Sequence, residues 1–512
     1  MILAELSRLM HERGWVSNEA AREIATMLRV PLFRVEGLLS FYPAFRRSPP
    51  PRVAIDVCRD MSCWLQGGEA LCREVRALGQ GDVEVREVSC VGRCERAPVA
   101  AVNHVPVEGA TLDGLRVFAR GELAPPAHEP PVAARAWRLG TDLPAARAFD
   151  AVAVIAELRE AGLRGMGGAG FPTAQKWDLV RNTPADAKYV VCNADESEPG
   201  TFKDRAILEE LPDLVLEGLW LAARVVGASR AIVYIRHEYD RACRTLHAAL
   251  DRAGDLAPCP TEIFVSPGGY IMGEETALIE ALEDKRGEPR NKPPFPGTHG
   301  LFQKPTVINN VETLAASAAI GRRGAAWWKA QGVRGCAGLK FIAVSGHVAR
   351  PDVYEVPMGT TVRELVERAG GMLDGRPLLA FAPGGASSNF LGPDKLDTPM
   401  DFAAMQAAGS MLGSGALVVV AEGTDLLALA ANVVRFFRNE SCGKCVPCRV
   451  GSEKAVEMIE DVLAGRRPVR DLAVLEDLGE AMRLTSICGL GQVALNPLLS
   501  IRQNFPEAGR GA

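Results

Sequence analysis

Residues 164–173 read RGMGGAGFPT. Gly165, Gly167 and Gly170 match the pattern G-x-G-x-x-G, which in dinucleotide-binding folds follows a strand and opens a helix. The apolar spacing of the preceding stretch, 150–162, instead predicts a helix, so an ordinary Rossmann turn is not expected here. The glycines still remove the side chains that would keep a flat or anionic ligand away from the backbone. The loop alone fits a ligand cradle or a flexible surface loop.

Outward from this loop, residues 137–335 alternate predicted helices with predicted strands, among them 188–193 and 231–236. This alternation is typical of an α/β domain. The segment YVVCNADESEPGTFKDR at 189–205 places an acidic cluster directly after a strand. Polar residues in that position favour a ligand cradle over a surface loop.

Two predicted helix starts add polar groups to the same domain. Glu274 and Glu275 open one helix, where acids also act as ordinary N-terminal caps. Asn309 and Asn310 precede another helix, where side-chain amides and helix N–H groups can hold a phosphate. Both segments favour a ligand site near the loop, and the second one suits a phosphate group.

A first group of four cysteines follows two predicted strands. Cys58 and Cys63, spaced C-x4-C, follow the strand VAIDV, and Cys90 and Cys94, spaced C-x3-C, follow the strand VEVREV. If the two strands are parallel, their ends bring four thiolates together. Four thiolates select an iron–sulfur cluster or zinc, and buried cysteines without a ligand are the remaining alternative.

A second group lies in ESCGKCVPCRVG, where Cys442, Cys445 and Cys448 are spaced C-x2-C-x2-C. Cys488 follows after 39 intervening residues. Three closely spaced thiolates and a distant fourth suit the corners of a [4Fe–4S] cubane. Zinc is the alternative, although its ligands more often arrive as two separated pairs. Lys444 would offset the negative charge of a bound cluster.

The composition of the 512-residue chain is that of an ordinary globular protein, with 47% hydrophobic and 24% charged residues. A net charge of −5 argues against a nucleic-acid-binding protein. Thirteen cysteines without a recognisable signal peptide favour metal or redox use over disulfides. Since no stretch of about 20 residues is unbroken by charge, we expect no membrane span and a cytoplasmic location.

The remaining patterns predict further units on either side of the α/β domain. Prolines at 48–52 form a stiff hinge, and the proline- and alanine-rich stretch 123–136 reads as a linker. The predicted units are a helical leader at 1–46, a small α/β domain at 47–122, the α/β domain at 137–335, a small unit at 338–421 and a mostly helical unit at 425–505.

Residues 1–122 resemble a known family. The segments VCRDMSCWLQGGEAL and EVSCVGRCERAPVAAVN, with the helical stretch before them, are similar to the thioredoxin-like [2Fe–2S] subunit of NADH:quinone oxidoreductase, complex I. The resemblance implies a thioredoxin-like fold and a [2Fe–2S] cluster held by Cys58, Cys63, Cys90 and Cys94.

Residues 137–505 resemble the FMN- and NADH-binding subunit of the same enzyme, since the glycine loop, the polar segments and the second cysteine group occur in that family's order. The resemblance implies an α/β flavin-binding domain, a ubiquitin-like β-grasp domain at 338–421 and a C-terminal helical bundle with a [4Fe–4S] cluster. The fold class is therefore expected to be multidomain α/β.

The resemblance also implies ligands for each cofactor. It assigns to FMN the residues Gly165, Gly167, Gly168, Lys176, Asn193, Asp195, Glu196, Tyr270, Gly273, Glu274, Asn309 and Asn310. It assigns to NADH the stacking residues Phe171 and Phe295 and the polar residues Glu198, Glu275 and Lys292. Two positions depart from the family: Met166 replaces a frequent arginine, and Leu179 replaces an aromatic residue that often helps hold adenine.

FMN fits such a chain because nicotinamide releases two electrons together whereas a cluster accepts one at a time. No side chain has to act as general acid or base in hydride transfer, so we expect no catalytic residue in that sense. Electrons should pass from flavin to the [4Fe–4S] cluster and then leave the chain. The [2Fe–2S] cluster is interpreted as a side store or a second exit.

The fusion of both units in one chain resembles the β subunit of NAD-dependent molybdenum or tungsten formate dehydrogenases. It also resembles the diaphorase subunit of NAD-linked hydrogenases and could be a fused complex I module. The presence of all four cysteines of the first group favours formate dehydrogenase, whose larger α subunit would then be the partner. The alternative outside these enzymes is a non-catalytic scaffold subunit that keeps its clusters for structure.

Overall fold

The structure is a computed structural model that describes residues 1–124, 135–145 and 147–508. Most of the predicted linker, 125–134, lies outside the described residues. The strands form three four-stranded sheets, each in its own stretch of the chain. Helices surround these sheets and make up both the leader and the C-terminal part.

The leader consists of three helices that pack on the rest of the chain. Ser17 caps the second helix, since its side chain accepts a hydrogen bond from the Ala20 N–H. The N–H groups of Ile2 and Leu3 donate to the Asp284 carboxylate and fix the first helix. The helices are α1 (Ile2–Arg13), α2 (Asn18–Met27) and α3 (Leu32–Phe41).

The thioredoxin-like sheet has the order β2-β1-β3-β4. Strands β1 and β2 are parallel, with Cys58 opposite Val88, so both cysteine pairs leave the same edge of the sheet. A strand is also predicted at 99–103 and is present at Ala100–Val102, whereas the fourth strand of this sheet was not predicted. The elements are β1 (Val53–Cys58), α4 (Met61–Leu65), α5 (Gly68–Val75), β2 (Val83–Val88), β3 (Ala100–Val102), β4 (Val105–Val107) and α6 (Leu112–Arg120).

The flavin domain, α7 to α15 with β5 to β8, has a fully parallel sheet of order β7-β6-β5-β8. The glycine loop follows a helix, as the sequence predicts, and leads directly into a second helix, which was not predicted. The elements are α7 (Ala151–Ala161), α8 (Thr173–Asn182), β5 (Tyr189–Ala194), α9 (Lys203–Glu210), α10 (Pro212–Val226), β6 (Arg230–Arg236), α11 (Asp240–Ala253), β7 (Thr261–Ser266), α12 (Glu275–Leu282), α13 (Pro296–His299), β8 (Thr306–Asn310), α14 (Val311–Arg323) and α15 (Ala325–Lys329).

The β-grasp domain, β9 to β12 with α16 and α17, has a mixed sheet of order β10-β9-β12-β11. Thr361 and Glu364 form a capping box at the start of its first helix, which stops the helix from fraying. The elements are β9 (Leu339–Gly346), β10 (Asp352–Pro357), α16 (Val362–Arg368), β11 (Leu378–Ala382), α17 (Phe402–Ala407) and β12 (Ala416–Ala421).

The C-terminal part is helical: α18 (Leu426–Asn439), α19 (Val446–Leu463), α20 (Val474–Thr485), α21 (Gly489–Val493) and α22 (Asn496–Asn504). Within the described ranges, no helix combines the length and the apolar character needed to cross a bilayer.

Two hydrophobic cores hold these parts together, one on each face of the flavin sheet. Along β5, Val190 and Cys192 enter the core shared with the β-grasp domain, whereas Val191 enters the core shared with the leader and the C-terminal helices. The alternation of side chains along a strand explains this division. The flavin sheet is therefore the centre of the molecule.

Candidate functional site

The carboxyl ends of β5 and β8 open into a cavity of about 420 Å³. Parallel pairing places Asn193 directly beside Asn310, so the polar ends of two neighbouring strands meet. The glycine loop closes the cavity, and a Cβ atom at Gly167 would lie only 2.9 Å from Cβ of Asn310. The predicted residues that line this cavity are Gly167, Gly168, Asn193, Asp195, Glu196, Glu198, Tyr270, Gly273, Glu274 and Asn310.

Three residues predicted to contact FMN are placed beside the cavity and not in its wall. The Gly165 N–H donates to the Phe171 carbonyl at 2.8 Å, which closes the glycine loop on itself. Asn309 is buried, and its Oδ1 accepts a hydrogen bond from Trp177 Nε1 at 2.7 Å. Lys176 Nζ donates to the Ile308 carbonyl at 3.0 Å.

Charged side chains form a cluster next to the N-terminus of α12. Glu274 caps this helix by accepting hydrogen bonds from the N–H groups of Thr276 and Ala277. Lys292 Nζ lies 2.7 Å from Glu274 and 3.6 Å from Glu275, and Lys176 Nζ lies 3.4 Å from Glu275. This group of charged side chains therefore offers both ammonium donors and carboxylate acceptors to a polar ligand.

The aromatic residues predicted to stack on adenine are exposed: Phe171 at 49% and Phe295 at 56% of their surface. Leu179 is 47% exposed and lies against Gly297, close to Phe295 along the chain. Exposed large apolar side chains of this kind are available to an incoming flat ring. Met166 is buried instead, so the departure from the family arginine fills the core and adds no charge to the loop.

The acidic residues after β5 are buried, which disfavours their charged form. Burial raises the pKa of Asp195 to about 6 and raises the pKa of Glu196 as well. Oδ2 of Asp195 is buried and has no hydrogen-bond partner in the described part of the chain. A buried acceptor without a donor, on a wall opened by glycines, fits a bound group that carries N–H or O–H donors.

The four thiols of the first group converge as the parallel strands predicted. Cys90 Sγ lies 3.3 Å from Cys94 Sγ, and all four cysteines are buried. Hydrogen bonds from Cys58 and Cys94 hold the pKa of Cys90 well below its ordinary value. The Gly200 N–H of the flavin domain donates to Cys94 Sγ at 3.4 Å, so this group borders the acidic loop after β5.

The cysteines of the second group surround a small cavity between α19 and α21. Cys445 and Cys488 directly precede these two helices, and Cys448 lies in the first turn of α19. Burial raises the pKa of Cys448 to about 11 and that of Cys488 to about 12, so binding of iron by these thiols releases protons. Lys444 donates to the Pro289 carbonyl at 2.7 Å beside the same cavity.

The flavin cavity and the cavity of the second cysteine group share two lining side chains. Ile271 and Leu490 line both cavities. In the described ranges, no three Cys, His, Asp or Glu side chains converge tightly enough for a single metal ion. The second group instead spreads its four soft sulfur donors around a space, which is the arrangement that a cubane requires.

Sequence reasoning did not find the part of the flavin cavity that comes from other domains. The β-grasp domain contributes Gly384, Ser387, Met411, Gly413 and Ser414, and the C-terminal helices contribute Gly489, Leu490 and Val493. The glycine pair in PGGASSN, directly after β11, is a signal that could have been noticed. In the C-terminal part, Gly489 and Gly491 directly after Cys488 are a comparable signal.

Four buried charges connect the flavin cavity to the β-grasp domain. Lys203 Nζ lies 2.6 Å from Asp204 and 2.9 Å from Glu312, and Glu312 also pairs with Lys340. Asn310 Nδ2 donates to Asp204 Oδ2 at 2.6 Å, which fixes the amide in the cavity wall. Burial lowers the pKa of Lys340 to about 8 despite its acidic neighbour.

A nucleotide-sized cavity beside two groups of four thiols defines the class of an iron–sulfur flavoprotein. Family models match the chain over most of its length: a thioredoxin-like [2Fe–2S] ferredoxin at 1–117, the Nuo51 FMN-binding domain at 158–319, an SLBB domain at 341–388 and the NADH-ubiquinone oxidoreductase-F iron–sulfur binding region at 428–510.

Relatives agree with these matches. The F 2 subunit of NADH-quinone oxidoreductase of Rhizobium meliloti (strain 1021) is 44% identical over 69% of this chain and 86% of its own length. The HndC subunit of the NADP-reducing hydrogenase of Solidesulfovibrio fructosivorans is 40% identical over 69% of this chain and 74% of its own length. A chain of the crystal structure of NAD+-reducing [NiFe]-hydrogenase in the air-oxidized state is 36% identical, with a TM-score of 0.90. The match covers 99% of this chain and 93% of the hydrogenase chain.

The chain belongs to the family of NADH-quinone oxidoreductase F subunits and carries a thioredoxin-like ferredoxin domain in the same polypeptide. It is a subunit of an NAD-dependent oxidoreductase, and its cofactors are FMN, NAD(H), one [2Fe–2S] cluster and one [4Fe–4S] cluster. The predicted fold class and the predicted cofactors are confirmed. The individual ligands of each cofactor stay predictions.

Proposed function

We propose that this subunit transfers electrons between NADH and a partner protein through FMN in the cavity at β5 and β8 and through the [4Fe–4S] cluster. The observation that carries the proposal is the shared wall, Ile271 and Leu490, between the flavin cavity and the second cysteine group. FMN, when bound, supplies the exchange between paired and single electrons. The protein supplies placement and electrostatics.

The residues of the site divide this work. Phe171 and Phe295 receive the adenine of NADH, and Lys292 and Glu275 contact its polar groups. Gly167, Gly168 and Asn310 admit the flavin close to the backbone, and Tyr270 closes the cavity on the side of the second cysteine group, where its ring packs on Phe436 at 5.0 Å. No side chain acts as general acid or base.

The surface next to the second cysteine group supports an exit to a partner. Val446 and Val450 lie one helical turn apart on α19 and are 59% and 54% exposed. Leu484, near Cys488 along the chain, is 65% exposed. Apolar side chains exposed around a redox centre suit a protein interface.

The direct test of this function is the oxidation of NADH by the purified full-length chain loaded with FMN and iron, with ferricyanide as acceptor. Turnover with NADH is expected. If the loaded protein binds flavin and remains inactive, the chain is a scaffold subunit and the proposal is wrong.

We further propose that the partner is the α subunit of a cytoplasmic molybdenum or tungsten formate dehydrogenase. The support is the complete first cysteine group, whose four thiols are brought together. A hydrogenase diaphorase is the second candidate, favoured by the near full-length likeness to the NAD+-reducing [NiFe]-hydrogenase chain. Mass spectrometry of the copurified subunits distinguishes a molybdopterin protein, a nickel–iron protein and membrane subunits of complex I.

Flavin binding should be sensitive to a single methyl group at Gly167. A Cβ atom there would lie 2.9 Å from Cβ of Asn310, so Gly167→Ala must displace the amide that lines the cavity. We expect the dissociation constant of FMN, measured by fluorescence titration of the apoprotein, to rise about tenfold. Gly165→Ala is the matched variant, because its Cβ would lie at an ordinary 3.5 Å from the Phe171 carbonyl. Equal losses at both positions would contradict this placement.

A further inference from the structure

Glu198 is held by three hydrogen bonds that come from two domains. Its Oε1 accepts from both the N–H and the hydroxyl of Ser387, each at 2.6 Å, and its Oε2 accepts from the Tyr270 hydroxyl at 2.6 Å. An ionised carboxylate accepts about four hydrogen bonds. Three positions are therefore filled, and the fourth, on Oε2, is left for a donor inside the cavity.

Ser387 belongs to the β-grasp domain, and its position is fixed from several sides. Asn496 of α22 donates to the Ser387 carbonyl at 3.1 Å. The preceding Ala386 N–H donates to the Pro199 carbonyl at 3.3 Å. Gly385, at φ +79, lies so close to Glu198 that a Cβ atom there would be 3.0 Å from Glu198 Cγ. The loop is thus held against the acidic segment after β5.

We propose that Ser387 is a positioning residue of the nucleotide site: it orients Glu198 so that Oε2 accepts a hydrogen bond from the nicotinamide nucleotide. The β-grasp domain thereby completes the substrate site of the flavin domain. This inference rests on the proposed function, because it takes Glu198 as a contact of NADH. Ser387 acts through Glu198 and takes no part in the chemistry.

The charge of Glu198 depends on the same contacts. Burial raises the pKa of Glu198, the hydrogen bonds from Ser387 and Tyr270 oppose that rise, and Cys90 of the first cysteine group adds to it. Loss of the Ser387 hydroxyl removes one opposing contact, so the pKa of Glu198 rises further. The acid limb of the pH profile should then move to higher pH, since the ionised form is the acceptor.

The experiment compares steady-state oxidation of NADH by ferricyanide in the loaded wild type, Ser387→Ala, Ser387→Thr and Glu198→Gln. Ser410→Ala is the control, because its hydroxyl donates to the Asn389 carbonyl within the same domain and Ser410 itself does not line the cavity. In Ser387→Ala we expect KM for NADH to rise about fivefold with kcat nearly unchanged, as for loss of one charge-assisted hydrogen bond. Threonine should restore both KM and the pH profile.

Two results would overturn the inference. The first is a Ser387→Ala protein whose KM and acid limb match those of Ser410→Ala. The second is a double variant, Ser387→Ala with Glu198→Gln, whose KM for NADH is higher than that of Glu198→Gln alone. If Ser387 acts through Glu198, the two variants should have the same KM. An inactive wild type would instead refute the proposed function, and the melting temperature and flavin content of each variant separate misfolding from either outcome.

Discussion

Replacement of Cys488 with serine should abolish electron transfer from NADH to the copurified partner while NADH oxidation by a dye continues. Cys488 is one of the four cysteines that line the cavity next to Ile271 and Leu490. We therefore expect its loss to remove the cluster and to leave the flavin cavity intact. We expect dye reduction to stay within about twofold of the wild type and partner reduction to fall to background. Electron paramagnetic resonance of the reduced protein measures the cluster directly.

The control for this experiment is Cys336→Ser, since Cys336 is half-buried and lies outside both cysteine groups. It should keep both activities and the cluster signal. Cys442→Ser, which changes another cysteine of the same cavity, should likewise abolish partner reduction and keep dye reduction. Survival of partner reduction after loss of the signal would show that electrons leave by another route.

Glu312→Ala should cause a large loss of stability. Glu312 is 2% exposed and neutralises Lys203 and Lys340, and its Oε1 accepts from the Phe341 N–H at 2.9 Å. Burial alone would raise the pKa of Glu312, but the two lysines outweigh it and lower that pKa. Removal of one partner from such a buried group costs about 3–5 kcal/mol, because the remaining charges are left without compensation.

The measurement is urea unfolding, monitored by tryptophan fluorescence. Trp137 packs on Phe341 with ring centroids 5.1 Å apart and reports on this region. Glu480→Ala removes an exposed pair with Arg483 and should leave the midpoint unchanged. The double variant Glu312→Leu with Lys340→Met should recover part of the lost stability, because it removes one buried charge of each sign. A midpoint for Glu312→Ala equal to that of Glu480→Ala would refute this account.

The sequence was most informative where function depends on local spacing. The C-x4-C and C-x3-C pairs after two strands predicted converging thiols, and parallel pairing of β1 and β2 delivers them. Asn193 could be placed at the end of a predicted strand and Asn310 before a predicted helix start, and the structure brings both to the cavity. Asn309 is different: neighbouring residues of a strand point to opposite sides, so Asn309 turns inward to Trp177 when Asn310 faces the cavity.

The contributions from packing between domains could not be predicted. Ser387 meets Glu198 across 189 residues of chain, and no local pattern encodes that contact. Charged residues are expected at the surface by default, yet Lys203 and Lys340 are almost completely buried. Their burial becomes intelligible only when Glu312 and Asp204 are seen between them.

The wall of the flavin cavity runs from Gly167 to Val493 in the chain and includes residues of the flavin domain, the β-grasp domain and the C-terminal helices. A growing polypeptide on the ribosome therefore cannot enclose the flavin until its last helices have been synthesised. Enclosure of the flavin must therefore follow synthesis of residues 489–493, whereas the first cysteine group is complete at residue 94. The order in which the prosthetic groups enter becomes a question of maturation that pulse-labelling of nascent chains can address.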